Sequence, residues 1–282
     1  IPSIRIVSIS DDVMLRATMA SLQADAGESA RSRIAWRLLP FLFLLYVANY
    51  LDRTNIAYAT LGMKGDLGLT DSVFGTASGI FFIGYFALQI PGALLVERWS
   101  ARLLLAITLI TWGALTTLTG FVHTSLQLYG ARFLLGMAEA GFFPGVIVYL
   151  SHWFIYPYRA KAVARFMSAI PIGFIVGGPL AGAILGGHWL GLSGWRWLFL
   201  LEGIPAVLLG TATLFVLPDR PNEVQWLRPN ERDWLTSRLA EERRGKSNLE
   251  HVTIWQALRQ PAVLILTAGL FFTYSGGYAF WF

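Results

Sequence analysis

The sequence contains no cysteine, which excludes a disulfide framework, a thiol nucleophile and a thiolate metal site. Histidine is nearly as scarce: the four present, His123, His152, His188 and His251, begin neither an HxxxxD nor an HExxH pattern, so no metal, cofactor or enzymatic role is expected. Charge is also thin. Asp, Glu, Lys and Arg make up 14% of the chain, against about 25% in an ordinary soluble domain. Hydrophobic residues instead make up 55%, and the mean hydropathy is +0.54. A 282-residue chain that could have formed two soluble domains reads as an all-α polytopic membrane protein.

A membrane-spanning helix needs about 20 mostly apolar residues. Six such runs stand out, at 36–58, 73–96, 102–122, 126–150, 162–186 and 196–217, and a seventh begins at 261. The expected organisation is a polar, disordered tail over 1–33, a six-helix domain over 34–217, a linker over 218–260 and a further transmembrane segment over 261–282. The linker carries a capped amphipathic helix, Pro229-Asn230 followed by ERDWLTSRLAEERR, with Trp234, Leu235 and Leu239 on one side. The chain opens on Ile1, with Met14 and Met19 as candidate starts, and its polar beginning lacks the short apolar core of a signal peptide.

Orientation follows from the basic residues. Arg31, Arg33 and Arg37 precede span one, Arg98 and Arg102 lie between spans two and three, and Arg159, Lys161 and Arg165 surround the link from span four to span five. The opposite loops offer Lys64 and Arg196. The N-terminus and the linker are therefore expected in the cytoplasm, in a multi-pass protein of a bacterial inner membrane.

Four charges lie inside the spans: Asp52 and Arg53 in the first, Arg132 and Glu139 in the fourth. A charge at the bilayer centre costs roughly 2.5–3.5 kcal/mol on insertion scales, so such residues are rare and usually functional. At about 1.5 Å per residue, Arg53 and Arg132 reach a similar depth in the outer half of two different helices. Two guanidiniums so placed can clamp a carboxylate, because each offers a planar fork of donors. Glu139 follows Arg132 by seven residues, near two turns, and is expected to hold it. A carboxylate under the opposing influences of burial and a nearby Arg is a natural proton carrier. Asp52 points about 100° away from Arg53 and is a second proton site. Tyr46, Asn49, Tyr50 and Asn55, with Tyr85 and Gln89 of span two, suit the wall of a wet cavity. The competing reading makes the four charges interhelical salt bridges that only fix the bundle. Glu202, near the outer end of span six, reads as structural. Gly178-Pro179 should bend span five.

PGALLVERWSAR (91–102) resembles the loop between helices two and three of the major facilitator superfamily, with Glu97 for the usual Asp and Ser100 for the usual Gly. YLDRTNIAYA (50–59), ARFLLGMAEAGFFPG (131–145), GWRWLFLLEGIPAVLLG (194–210) and LPDRP (217–221) together resemble its anion:cation symporter family, in particular the bacterial branch that carries tartrate, phthalate and sugar acids. The resemblance implies a twelve-helix fold built from 3+3 inverted repeats. This chain would supply the six-helix N-terminal bundle and the start of helix seven. It also implies proton-driven symport of a small organic anion by alternating access, energised by the proton gradient and needing no cofactor. Arg53, Arg132, Tyr50 and Tyr85 match the family's substrate side, and Asp52 and Glu139 its proton-coupling acids. Glu97, Arg98 and Arg102 match its cytoplasmic gate. The partners are then an organic anion, protons and the lipid bilayer, not nucleic acid, and the full-length protein works as a monomer. Antiport, uniport and a passive anion channel remain as alternatives. A seven-span receptor is disfavoured because its N-terminus would lie outside.

Overall fold

The computed structural model describes residues 9–247, 256 and 258–281; the side chains outside that description include those of Glu97, Arg98, Tyr274, Tyr278 and Trp281. The gating roles expected of Glu97 and Arg98 therefore fall there too.

The described residues up to Leu239 make one compact unit. Its first helix, α1 (Ile9–Leu67), is followed by α2 (Asp71–Arg98), α3 (Ala101–Thr119), α4 (Ser125–Glu139), α5 (Phe142–Trp153), α6 (Tyr156–Met167) and α7 (Ala169–Leu185). A two-residue hairpin, β1 (His188–Trp189) and β2 (Leu192–Ser193), leads into α8 (Gly194–Val216). The linker helix α9 (Pro229–Ser247) follows. The described residues from Ala240 onward form a second unit, with the apolar helix α10 (Pro261–Trp281).

Among the described residues six helices are long and apolar enough to cross a membrane. Two of them are broken. Span four divides into α4 and α5 at Ala140-Gly141, and span five into α6 and α7 at Ser168. Proline explains both breaks, since its ring removes an N–H and crowds the carbonyl four residues earlier. Pro144 faces Ala140 in this way, and Pro171 faces Met167. Gly178-Pro179, the expected bend, lies inside a continuous α7.

The expected tail also differs. Residues 24–33 continue α1, with Ala26 and Ala30 buried. Ser29 Oγ donates to Glu231 Oε1 at 2.5 Å, and Arg33 Nε lies 3.3 Å from Glu231 Oε2. The same carboxylate accepts the Arg228 N–H at 2.9 Å, closing the first turn of α9. Leu235 and Leu239 are buried beside it. This stretch is helical because α9 gives it an apolar face and a countercharge.

Where helices pass closest, glycines make room. A Cβ on Gly136 of α4 would stand 2.1 Å from the Phe81 carbonyl oxygen of α2, and one on Gly84 would stand 2.3 Å from the Phe133 oxygen of α4. Backbones thus meet directly, as small residues allow in membrane helices.

The two ends of the bundle are tied separately. At one end Asp219, just past α8, caps α3: it accepts the Arg102 N–H at 3.0 Å and the Ser100 hydroxyl at 2.6 Å, with Arg102 Nε at 3.6 Å. Arg102, expected to act with Glu97 and Arg98, is thus held by the segment after span six. Tyr149 donates to the Pro218 oxygen at that end. At the other end Arg196 Nη1 donates to the Gly120 oxygen at 2.7 Å, and Trp195 Nε1 to Asp66 at 2.7 Å.

Candidate functional site: a polar layer between two apolar cores

The buried apolar side chains fall into two clusters. One includes Leu38, Leu42, Tyr46, Trp112, Leu135, Phe142 and Trp153; the other includes Ile56, Met63, Leu128, Trp195 and Phe199. Along α1 and α8 the chain passes from one cluster to the other across a short polar interval, with Asn49, Asp52, Arg53 and Asn55 on α1 and Glu202 on α8. Arg132 stands at the same change on α4, Glu139 follows between Leu135 and Phe142 of the first cluster, and Thr116 follows Trp112 on α3. Asn49, Asp52, Asn55, Thr116, Arg132 and Glu139 are each at most 3% exposed, and Glu202 is 9% exposed. Taking such groups out of water is costly without partners, so where their partners lie decides what the layer can do.

Residues 49 and 53 are one helical turn apart and face α4. Arg53 Nε and Nη2 reach Glu139 Oε1 at 2.9 and 2.7 Å, and Asn49 Nδ2 donates to the same oxygen. The sequence pairs Glu139 with Arg132; the structure gives its carboxylate to Arg53. Seven residues place Arg132 and Glu139 about 10 Å apart along one helix, whereas the long Arg53 side chain of α1 reaches across to Glu139. Glu139 Oε2 is buried with no hydrogen-bond partner among the described residues. It is also the last residue of α4, directly before the break.

Arg132 occupies a different environment. Its guanidinium carbon lies 4.6 Å from the Phe81 ring centroid, within cation–π range. Its Nε and Nη1 are buried without a hydrogen-bond acceptor among the described residues. Asp52, Glu139 and Arg53 are its charged neighbours. Arg53 is 18% exposed at its side chain. It lies 5.0 Å from the Tyr85 ring and 5.8 Å from the Tyr50 ring. The structure therefore brings together Arg53, Tyr50, Tyr85, Asn49 and Glu139, with Arg132 behind Phe81.

Asp52 looks the other way. Asn55 Nδ2 donates to its Oδ1 at 3.0 Å, and Thr116, Arg132 and Glu139 stand around it. Glu202 of α8 joins this side, with Asp52 and Asn55 as its polar neighbours. Asp52 Oδ2 and Glu202 Oε2 are both buried without a hydrogen-bond partner among the described residues. Glu202 is the residue sequence reasoning set aside, although a depth count could have found it. It lies eight residues into α8, and Arg132 lies seven into α4. Both are about 10–12 Å from the same end of the bundle.

Three carboxyls, Asp52, Glu139 and Glu202, thus share the layer with two guanidiniums. Fully ionised, they leave one excess negative charge, which a single bound proton neutralises. An arginine held by one carboxylate and flanked by two phenol rings can exchange that carboxylate for another. The layer therefore has the groups to couple a proton to an anion. Among the described residues no group of His, Cys, Asp and Glu could hold a metal ion.

A family model described as the Major Facilitator Superfamily matches residues 42–282. An Agrobacterium vitis protein named "Putative tartrate transporter" is 43% identical over 258 residues, covering 91% of this chain and 59% of that protein. An Acinetobacter baumannii protein named "Quinolone resistance transporter" is 38% identical over 234 residues, covering 83% and 54%. The chain spans about half the length of the curated relatives it matches. Among solved structures, a bacterial homologue of the human lysosomal transporter Spinster, inward-facing and unoccupied, superposes with a TM-score of 0.68 at 20% identity. It covers 80% of this chain and 48% of that one, a likeness of fold alone.

Proposed function

The chain belongs to the Major Facilitator Superfamily, a family of membrane transporters and not of enzymes, and on that premise we propose that it serves a carrier coupling uptake of a small organic anion to protons. The anion is a carboxylate, such as a sugar acid, a tartrate or an aromatic acid. The protein is placed in a bacterial inner membrane with its N-terminus in the cytoplasm. The observation that supports this reading best is the shared oxygen of Glu139: both Arg53 contacts and the Asn49 contact end on it.

The coupling follows from charge. While Glu139 is ionised, Arg53 is neutralised and a substrate carboxylate must compete with a fixed one. A proton taken up by the Glu139 carboxylate removes its negative charge and frees the Arg53 fork. The substrate carboxylate then takes the bidentate place, with Tyr50 and Tyr85 beside it. Arg132 supplies a second positive charge, and its unmet donors favour an acceptor brought close. Asp52 and Glu202 form a second proton-holding side. Release reverses the exchange: the proton leaves, Glu139 reclaims Arg53, and the anion departs. Alternating access about this layer moves both in one direction.

Uptake by the full-length protein in proteoliposomes tests the proposal. Labelled organic acids are offered with an inward proton gradient, with and without an uncoupler, beside Arg53→Ala. Accumulation that needs the gradient and is lost in the variant is expected. Flux indifferent to the gradient would leave a uniporter or channel and remove the proton roles of Asp52 and Glu139. A second reading, proton-driven export, draws on the 38% identity to the Acinetobacter protein. It predicts that inverted vesicles with an acidic interior, whose protons run outward, fill with drug rather than organic acid.

A further inference from the structure

A second group of cations lies far from the polar layer, where the cytoplasmic end of α1 meets α6. Here a cavity of about 410 Å³ is lined by Arg31, Tyr158, Lys161 and Arg165, with Glu28 as its one acid. The Arg31 guanidinium sits 3.9 Å over the Tyr158 ring, which fixes its position, and its Nε is satisfied by the Gly27 carbonyl at 3.0 Å. Lys161 and Arg165 are one turn apart on α6 and make no ion pair among the described residues. Three positive charges against one negative make this an anion site by composition.

The cavity continues into a second one of about 340 Å³. The two share Ala35, Trp36, Leu39 and Arg165, and the second adds only Pro40 and Phe43. A basic pocket thus runs directly into an apolar groove along α1. From Arg31 to Phe43 the helix rises about 18 Å, enough to pass from the headgroup region into the hydrocarbon of one leaflet. Trp36, at the junction, is 80% exposed. Exposed Trp with flanking Arg and Lys is the side-chain pattern of the membrane–water interface. A soluble anion would explain the cations but leave the Trp36–Phe43 groove unused.

We infer that this surface binds one anionic phospholipid of the cytoplasmic leaflet, its phosphate on Lys161, Arg165 and Arg31 and an acyl chain along Trp36, Pro40 and Phe43. Basic residues at the inner surface attract anionic lipid in this way. Here the tilt of Arg31 over Tyr158 and the groove beside Trp36 add shape to charge. The site stands apart from the polar layer that takes the transported solute, whichever anion the carrier moves.

Native mass spectrometry of the full-length protein, incubated with phosphatidylglycerol or phosphatidylcholine, tests this. Phosphatidylglycerol should be retained roughly tenfold or more over phosphatidylcholine, a preference lost in Lys161→Gln/Arg165→Gln. Millimolar inorganic phosphate should not displace the lipid. Equal retention of the two lipids, or a preference unchanged in the variant, overturns the proposal. Displacement by phosphate overturns it in favour of a soluble anion. A fluorescence arm avoids dependence on the double variant. Brominated phosphatidylglycerol should quench a component of tryptophan emission that Trp36→Phe removes, and equal quenching by brominated phosphatidylcholine counts against the site.

Discussion

Glu139 and Glu202 are both buried carboxyls, yet exchange for Gln should affect them differently. Glu139→Gln leaves Arg53 without its countercharge. Breaking a buried pair costs about 3–5 kcal/mol, and the partial exposure of Arg53 reduces this to about 1–3 kcal/mol. Melting in detergent should show that loss, and Arg53→Gln added to Glu139→Gln should recover part of it. Glu202→Gln removes a carboxyl with no guanidinium attached among the described residues, so melting should hold or rise while the pH profile of uptake shifts. A fall in melting temperature as large as that of Glu139→Gln would mean that Glu202 is ionised and paired. The charges in spans one and four were legible because a charged residue in an apolar run is costly to place. Their partners were not, since periodicity along one helix says which residues share a face and nothing about which helix that face meets. Arg53 and Glu139 are 86 residues apart, and only packing brings them together.

The helices themselves carry two further tests. A Cβ at Gly136 would overlap a carbonyl oxygen of α2, so Gly136→Ala must push α2 from α4. Overpacking of this kind costs about 1–3 kcal/mol, and because Glu139 is one turn on, anion binding should weaken together with melting temperature. A variant that melted like the parent would show that the two backbones are not in contact. The second concerns α1 and α9. Burial alone would raise the Glu231 carboxyl, but the Ser29 hydroxyl, the Arg228 N–H and the charges of Arg33 and Arg228 outweigh it and hold it below its ordinary 4.5. A group lowered in the folded state stabilises above its unfolded value and loses that contribution as pH falls through its folded one. The tie should therefore be whole at pH 7 and weaken only below 4.5. Hydrogen exchange over residues 24–33 should rise at that acid limit, and at neutral pH in Glu231→Ala. The spans were legible from hydropathy. The breaks at Ala140 and Ser168 were open to the same reading, because Pro144 and Pro171 each stand close behind them. The helix over residues 24–33 was not, since this polar stretch gains its contacts from distant segments, Glu231 of α9 and Tyr158 of α6.

At the scale of the whole molecule the question is which end of the bundle faces the cytoplasm. The two ends are set by contacts: Arg33 with Glu231 and Arg102 with Asp219 at one, Arg196 with the Gly120 carbonyl and Trp195 with Asp66 at the other. An even number of crossings separates residue 33 from residue 219, so the tail and the linker share a side whatever the orientation. That much was legible from six apolar runs. Orientation rests on charge, because basic residues gather at the Arg33–Arg102 end while the other end holds Lys64 and Arg196. These 282 residues hold no cysteine, so a thiol introduced among them is the only one there, and the unsubstituted full-length protein serves as the labelling blank. Leu190 is 90% exposed at the tip of the β1–β2 hairpin, and Asn230 is exposed at the start of α9. With the full-length protein in intact cells, a membrane-impermeant maleimide should label Leu190→Cys directly. Asn230→Cys should label only after the membrane is opened. The reverse pattern would turn the bundle over. It would also place the Lys161–Arg165 pocket in the outer leaflet and require the proton gradient to enter the polar layer from the end now assigned to the cytoplasm.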